Sequence, residues 1–205
     1  MIDTANSFLR SPLRTVFLDR DGVLNRKMPE GRYVTRWSEF EILPGVPQAI
    51  AKLNRAGIRV VVVTNQRGVS QGLYTLDEVR SIHAAFQSDL QTQGARIDGF
   101  YICPHGKSEC SCRKPLPGLF EQARADFPNI AAASSVMIGD SLSDIEFGQR
   151  LGMRTIFIEG DPAHQKPGVE AARQLADQRF HSLLEATEFL LAPKADVIAP
   201  LLKRH

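Results

Sequence analysis

The sequence predicts an α/β domain, Rossmann-like, in which a parallel sheet is flanked by helices on both faces. Five short apolar runs of four to six residues, rich in β-branched or aromatic side chains, have the composition of strands buried on both faces. Amphipathic stretches separate them, so the connections read as helical crossovers rather than hairpin turns. At 205 residues, with 43% hydrophobic and 23% charged residues, the chain matches one globular domain and not a disordered, collagen-like or coiled-coil segment.

Thr15–Leu18 (TVFL) is the first expected strand. The stretch from Asn25 to Leu43 is too long for an ordinary strand-to-helix connection of ~2–6 residues, which marks it as a functional loop. A helix over Pro44–Ala56 closes at Gly57, and Ile58–Val63 (IRVVVV) is the second strand. Thr75 with Glu78 makes a capping box, after which Leu76, Val79, His83, Phe86 and Leu90 recur at helical spacing. His83 lies on that apolar stripe and is expected to be a packed, hydrogen-bonded core residue without a function. Gly99–Cys103, Ser135–Ile138 and Arg154–Ile158 are the remaining strands, with helices over Leu116–Asp126, Leu142–Leu151 (closed by Gly152) and Ser182–Leu191. A single domain over residues 1–205 is expected, with 1–13 and 192–205 as loosely attached ends.

Lys and Arg (25) nearly balance Asp and Glu (23), leaving a net charge of +2, too small for a generally basic surface that would bind nucleic acid or membranes. No basic segment precedes an apolar run at the N-terminus, and no apolar stretch approaches ~18 residues, so a cytoplasmic monomer without membrane or nucleic-acid partners is expected.

In open α/β sheets the ligand crevice lies beyond the carboxyl ends of the strands. Here those ends carry Asp19-Arg20-Asp21-Gly22, Thr64-Asn65-Gln66 and Gly139-Asp140. Alternation along a strand predicts that Asp19 and Asp21 face one side and Arg20 the other. Two carboxylates facing one pocket repel unless a cation or proton lies between them, and a hard divalent ion, most simply Mg2+, fits oxygen donors. Ser141-x-x-Asp144 reads equally well as a helix capping box and as support for a metal site. A second group, Cys103-x-His105-x4-Cys110-x-Cys112, uses every cysteine of the chain. Three thiolates and an imidazole make the closed tetrahedral shell of structural zinc, a better match to a reducing compartment than a disulfide framework.

FLDRDGVLN, VVVTNQ, CRKP and GDSLSD, in that order, resemble the four motifs of the haloacid dehalogenase superfamily of phosphohydrolases, over roughly Thr15 to Leu190. The resemblance implies that superfamily's fold, here without a large cap. It also implies Asp19 as nucleophile, Asp21 as general acid and base, and Mg2+ held by the Asp19 carboxylate, the Asp21 backbone carbonyl and Asp140. Thr64, the Asn65 backbone and Lys114 would then hold the phosphoryl oxygens.

Within the superfamily, the cysteine-rich loop directly before R-K-P resembles the heptose 1,7-bisphosphate 7-phosphatases and the related histidinol-phosphate phosphatases. Gly31-Arg32-Tyr33-Val34 leading into FEILPGV, and TNQRGVSQGLYT, resemble the former. This implies removal of the 7-phosphate from a small phosphorylated sugar, a step toward nucleotide-activated heptose for lipopolysaccharide-type cell-surface polymers. Substrate contacts are expected from Asn65, Gln66, Arg67, Arg113, Arg32, Tyr33 and Ser141, with Arg113 foremost because its planar fork adjoins Lys114. Ser141 departs from the lysine of the best-known heptose enzymes, Arg67 from a small residue, and the zinc loop is short, as in the histidinol enzymes. The alternatives are histidinol-phosphate hydrolysis and, from another class, a phospho-accepting signalling domain.

Overall fold

The computed structural model describes residues 8, 11–29, 31–161, 164 and 167–193. The other residues of the two expected loose ends lie outside that description.

Strands β1 (Thr15–Leu18), β2 (Arg59–Asn65), β3 (Gly99–Cys103), β4 (Ser135–Gly139), β5 (Arg154–Ile158) and β6 (Gln178–Phe180) form one sheet in the order β3-β2-β1-β4-β5-β6. Every neighbouring pair is parallel. Helices α1 (Val46–Arg55), α2 (Leu76–Thr92), α3 (Gly118–Asp126), α4 (Leu142–Leu151), α5 (Val169–Leu175) and α6 (Leu183–Leu191) cover both faces. The order is that of a Rossmann-like sheet and not the 2-1-3-4-5 order of flavodoxin-like signalling receivers.

Alternation along the strands builds two cores. Val16, Leu18, Val60, Val62, Val136 and Ile138 meet Ile50 and Leu53 of α1, Phe86 and Leu90 of α2 and Leu183 of α6. Phe17, Val61, Val63 and Met137 point the other way and meet Leu119 and Phe120 of α3 and Phe147 of α4. Both faces are thus removed from water, as the uninterrupted apolar runs require.

Five strands and five helices fall where the sequence places them, whereas β6 and α5 are additions. β6 is a three-residue edge strand with Arg179 at its centre, and α5 buries only Val169 and Ala172, so neither carries an apolar run to read. The Thr75–Glu78 box opens α2, with Glu78 N donating to Thr75 Oγ1 at 3.2 Å and Thr75 N to Glu78 Oε2 at 2.6 Å. His83 is buried and stacks on Phe100 at 4.5 Å between ring centroids. The expected hydrogen bonds are absent: neither ring nitrogen has a partner among the described residues. Burial, reinforced by the Arg20 charge, lowers its pKa to about 3 and keeps the ring neutral. Phe8, within the expected loose N-terminal stretch, is buried and meets the Phe189 ring of α6 at 5.5 Å. Among the described residues no helix is long and apolar enough to cross a membrane.

Register sets up the crevice. Leu18 pairs with Val62 and with Ile138, so the chain leaves β1, β2 and β4 at one level. Asn65 pairs with Cys103, which sets the cysteine-rich loop beside the end of β2.

Candidate active site and metal centres

Asp19 continues the sheet by one residue, its N donating to Ile138 O at 3.0 Å. Its carboxylate lies with those of Asp140 and Asp144 in a buried group in which one oxygen from each residue lies within 4.8 Å of the others. Two glycines permit this crowding. A Cβ on Gly22, at φ +93°, would stand 2.2 Å from Asp140 Oδ2, and one on Gly139 would stand 2.2 Å from Asp144 Cβ. Asp140 Oδ1 is buried and has no hydrogen-bond partner among the described residues, while Lys27 Nζ donates to Oδ2. Burial, with Asp19 and Asp144 close by, raises the Asp140 carboxyl to about 6 against the lowering effect of Lys27. Clustered hard oxygen donors with an orphaned lone pair fit a divalent cation.

Lys114 is the second charge at this centre. Its Nζ lies 2.9 Å from Asp19 Oδ1 and 2.6 Å from Asp144 Oδ1, and donates to Val63 O at 2.6 Å. Burial opposes its charge, but the two carboxylates outweigh burial and raise its pKa. Asn65 fixes the lysine backbone reciprocally: its Nδ2 donates to Lys114 O at 3.1 Å and Lys114 N donates to its Oδ1 at 3.0 Å. The Asn65 side chain is therefore committed to Lys114.

Asp21 departs from the strand-alternation expectation. The chain turns immediately after β1, with Leu24 N donating to Arg20 O at 2.8 Å, so the two-residue period lapses. Arg20 folds back into the core, 1% exposed, and its Nη2 donates to Asp21 Oδ1 at 2.7 Å and Oδ2 at 2.8 Å. Asn25 Nδ2 donates to Oδ1 at 3.0 Å and Gln66 Nε2 to Oδ2 at 2.9 Å. Burial would raise this carboxyl, but the Arg20 charge and these hydrogen bonds prevail and hold its pKa at about 2. The Asp21 carboxylate is not part of the close group, in which Asp144 stands instead.

Other expected contacts are sorted by their surroundings. Gln66, expected to touch substrate, is buried beneath Asp21, donating also to Thr64 Oγ1 at 2.8 Å and accepting from Tyr74 OH at 2.7 Å. Ser141, also expected to touch substrate, is buried as well. It is the N-cap of α4, its N and Oγ donating to Asp144 Oδ2 at 3.1 and 2.6 Å. Asp144 thus combines the capping role with a place among the carboxylates. Arg32 and Arg67 are exposed, Tyr33 OH donates to Gln71 Oε1 at 3.0 Å, and Arg113 Nη1 donates to His105 O at 3.1 Å. The sequence reading missed Lys27, Asn25 and Tyr74. The length of the loop holding Lys27 and Asn25 was the signal available for those two.

Cys103, His105, Cys110 and Cys112 likewise gather with all ligand atoms within 4.8 Å. Cys110 Sγ is 3.6 Å from Cys103 Sγ and 3.2 Å from Cys112 Sγ, far beyond a disulfide bond of ~2.05 Å. His105 Nδ1 lies 3.3 Å from Cys112 Sγ. Burial raises the Cys103 and Cys112 thiols, whereas at Cys110 hydrogen bonds from Cys112 and the Arg113 backbone outweigh burial and bring the thiol down to about 7, so a bound metal would have to displace protons from this group. These donors fit tetrahedral zinc.

Comparison with known proteins gives a concordant picture. The HAD-hydrolase-like family model matches residues 111–186. The D-glycero-alpha-D-manno-heptose-1,7-bisphosphate 7-phosphatase of Mycobacterium tuberculosis (strain ATCC 25618 / H37Rv) is 42% identical over 171 residues, 83% of this chain and 87% of that protein. The D-glycero-beta-D-manno-heptose-1,7-bisphosphate 7-phosphatase of Vibrio cholerae serotype O1 is 36% identical over 187 residues, 87% of this chain and 97% of that protein. The crystal structure of D,D-heptose 1,7-bisphosphate phosphatase from B. bronchiseptica, complexed with magnesium and phosphate, superposes with a TM-score of 0.76 at 29% identity, covering 87% of this chain and 98% of that one.

Proposed function

The chain belongs to the heptose-1,7-bisphosphate 7-phosphatase family of the HAD-like hydrolases, and on that premise we propose that it removes the 7-phosphate of D-glycero-D-manno-heptose 1,7-bisphosphate. The observation that carries the reading is the buried Lys114 ammonium 2.9 Å from Asp19, beside a carboxylate group suited to a divalent cation. A carboxylate attacking a phosphate dianion meets charge repulsion, and fixed positive charge at the transferring group offsets it. Mg2+, held by the Asp19 carboxylate, the Asp21 backbone carbonyl and Asp140, would supply Lewis-acid charge neutralisation there.

An Asp19 oxygen bonds to phosphorus as the bond from phosphorus to the sugar oxygen breaks, and the leaving oxygen takes a proton from the Asp21 carboxyl. In the second half-reaction Asp21 takes a proton from the water that attacks the aspartyl-phosphate, releasing phosphate and restoring the Asp19 carboxylate. With its pKa at about 2, Asp21 rests in the basic form suited to the second step. The first step needs its carboxyl turned out of the Arg20 clamp and protonated. Thr64, the Asn65 N–H and Lys114 hold the equatorial oxygens, while Gln66 positions Asp21 from beneath.

Zinc on Cys103, His105, Cys110 and Cys112 would brace the loop that presents Arg113 and Lys114, and reduced thiols suit the cytoplasm. Arg113, with Arg67, Arg32 and Tyr33 on neighbouring loops, is the candidate grip for the second phosphate. A single chain supplies every group the reaction uses. Asp19→Asn tests the reading: the variant should fold with the wild-type melting profile and lose turnover on both heptose bisphosphate and p-nitrophenyl phosphate, and appreciable residual hydrolysis would refute the nucleophile.

A further inference from the structure

The loop after β1 delivers one cation into the carboxylate group from outside the sheet. Lys27 Nζ pairs with Asp140 Oδ2, and both side chains are withdrawn from water, 11% and 4% exposed. Its neighbour Arg26 behaves differently, pairing on the surface with Glu41 at 2.8 Å with its side chain 51% exposed. Lys114 pairs with Asp19 and Asp144, so Lys27 brings Asp140 the counter-charge that a buried carboxylate requires.

That arrangement is weakened once a divalent cation takes Asp140 as a ligand, even through the orphaned Oδ1. An ammonium and a dication on the same buried carboxylate repel strongly where water screens them poorly. Space for an exchange lies next to the pair. A cavity of about 370 Å3 is lined by Lys27, Asp140, Gly22, Gly160, His181 and Leu183 among others. It is large enough to receive the lysine head and to admit an ion that keeps several of its waters.

We propose that Lys27 is the exchangeable counter-ion of the cation site: it neutralises Asp140 while the site is unloaded and withdraws into the adjoining cavity as a divalent cation binds. This rests on the reading of Asp140 as a cation ligand. Lys27 is a positioning residue in this scheme, since it acts through Asp140, and cation affinity is set partly by the exchange.

The test is Mn2+ binding to the full-length, zinc-loaded protein without substrate, with free Mn2+ read by electron paramagnetic resonance. Lys27→Met and Lys27→Gln remove the competing charge and should each bind Mn2+ about tenfold more tightly, whereas Arg26→Met, which removes an equal charge from the same cavity wall, should change affinity by less than about threefold. Lys27→Arg, which keeps the charge, should stay near wild type. Unchanged or weaker binding by a folded Lys27→Met or Lys27→Gln, or equal tightening by Arg26→Met, would overturn the proposal. Asp140→Asn separates it from the reading beneath: that variant should lose Mn2+ binding, and retention would discard the cation site itself.

Discussion

Burial and charge oppose each other most sharply at Asp21. A carboxylate lodged against a 1%-exposed guanidinium must remain charged, because an unpaired Arg20 in the core would be costlier than the pair. Asp21→Asn is therefore expected to destabilise the fold at pH 7 by about 2 kcal/mol, the equivalent of its pKa falling from 3.8 to about 2 on folding. The pH dependence has a definite sign. The Asp21 pKa falls from 3.8 to about 2 on folding, so its contribution is complete above about 4 and is lost as the pH falls through about 2. Urea midpoints of wild type and variant should converge over that window, and a gap that persists at lower pH would assign the loss to packing. In kinetics, the same variant should be nearly inactive on the heptose ester yet release a burst of about one nitrophenolate per site from p-nitrophenyl phosphate, whose leaving group needs no proton. The strand ends bearing Asp19 and Asp140 were legible because sheet topology alone aims them at one point, whereas the Asp21 carboxylate is drawn to Arg20. The burial of Arg20 was not legible, since strand alternation is no guide once the chain turns after Asp19, and neither was that of Gln66, which depends on Tyr74 and Asp21 closing over it.

Elements differ in how plainly the sequence announces them. α2 declares itself through its capping box and apolar stripe, but the stripe does not reveal that His83 stands there without hydrogen-bond partners. β6 and α5 are held by the edge of an existing sheet, as in the pairing of Ile156 with Gln178, rather than by a pattern of their own. Likewise, the loop after β1 is long enough to be flagged, yet nothing local indicates that Lys27 reaches Asp140. The His83 pKa falls on folding from 6.5 to about 3, so the unfolded chain takes the proton first and stability should drop as the pH falls between those values. The loss at pH 4 should be on the order of 3 kcal/mol, and His83→Leu should lack it while staying within about 1 kcal/mol of wild type at pH 7. Identical acid limbs in urea titrations of the two proteins would contradict this. The cysteine-rich loop makes its own prediction. Protein purified without chelator should carry about one zinc per chain by elemental analysis, and Cys112→Ser should lose both the metal and most activity, because Lys114 lies two residues away. Full activity without zinc would remove the brace from the account.

At the scale of the molecule, the sheet order β3-β2-β1-β4-β5-β6 puts β1 at the centre, between the strands that end in Thr64-Asn65 and in Asp140. The end of one central strand thus carries the proposed nucleophile, with Lys114 delivered from the β3 side and Asp140 from the β4 side. That division explains why the four motifs, scattered over the chain, act at one point. It also separates this architecture from receiver domains, whose strand order differs although they too use strand-end aspartates and a lysine. The proposed grip on the substrate's second phosphate lies instead on loop side chains, Arg113, Arg67, Arg32 and Tyr33. These are the features least constrained by the fold, and the relatives themselves include enzymes named for each heptose anomer. The decisive measurement is kcat/KM for phosphate release by the Mg2+-loaded enzyme from the alpha and beta anomers of D-glycero-D-manno-heptose 1,7-bisphosphate, set against histidinol phosphate. The account predicts that at least one anomer is hydrolysed at the 7-position about a hundredfold or more better than histidinol phosphate, as expected when a second phosphate is gripped in the transition state. Efficient turnover of histidinol phosphate with neither anomer hydrolysed would contradict it.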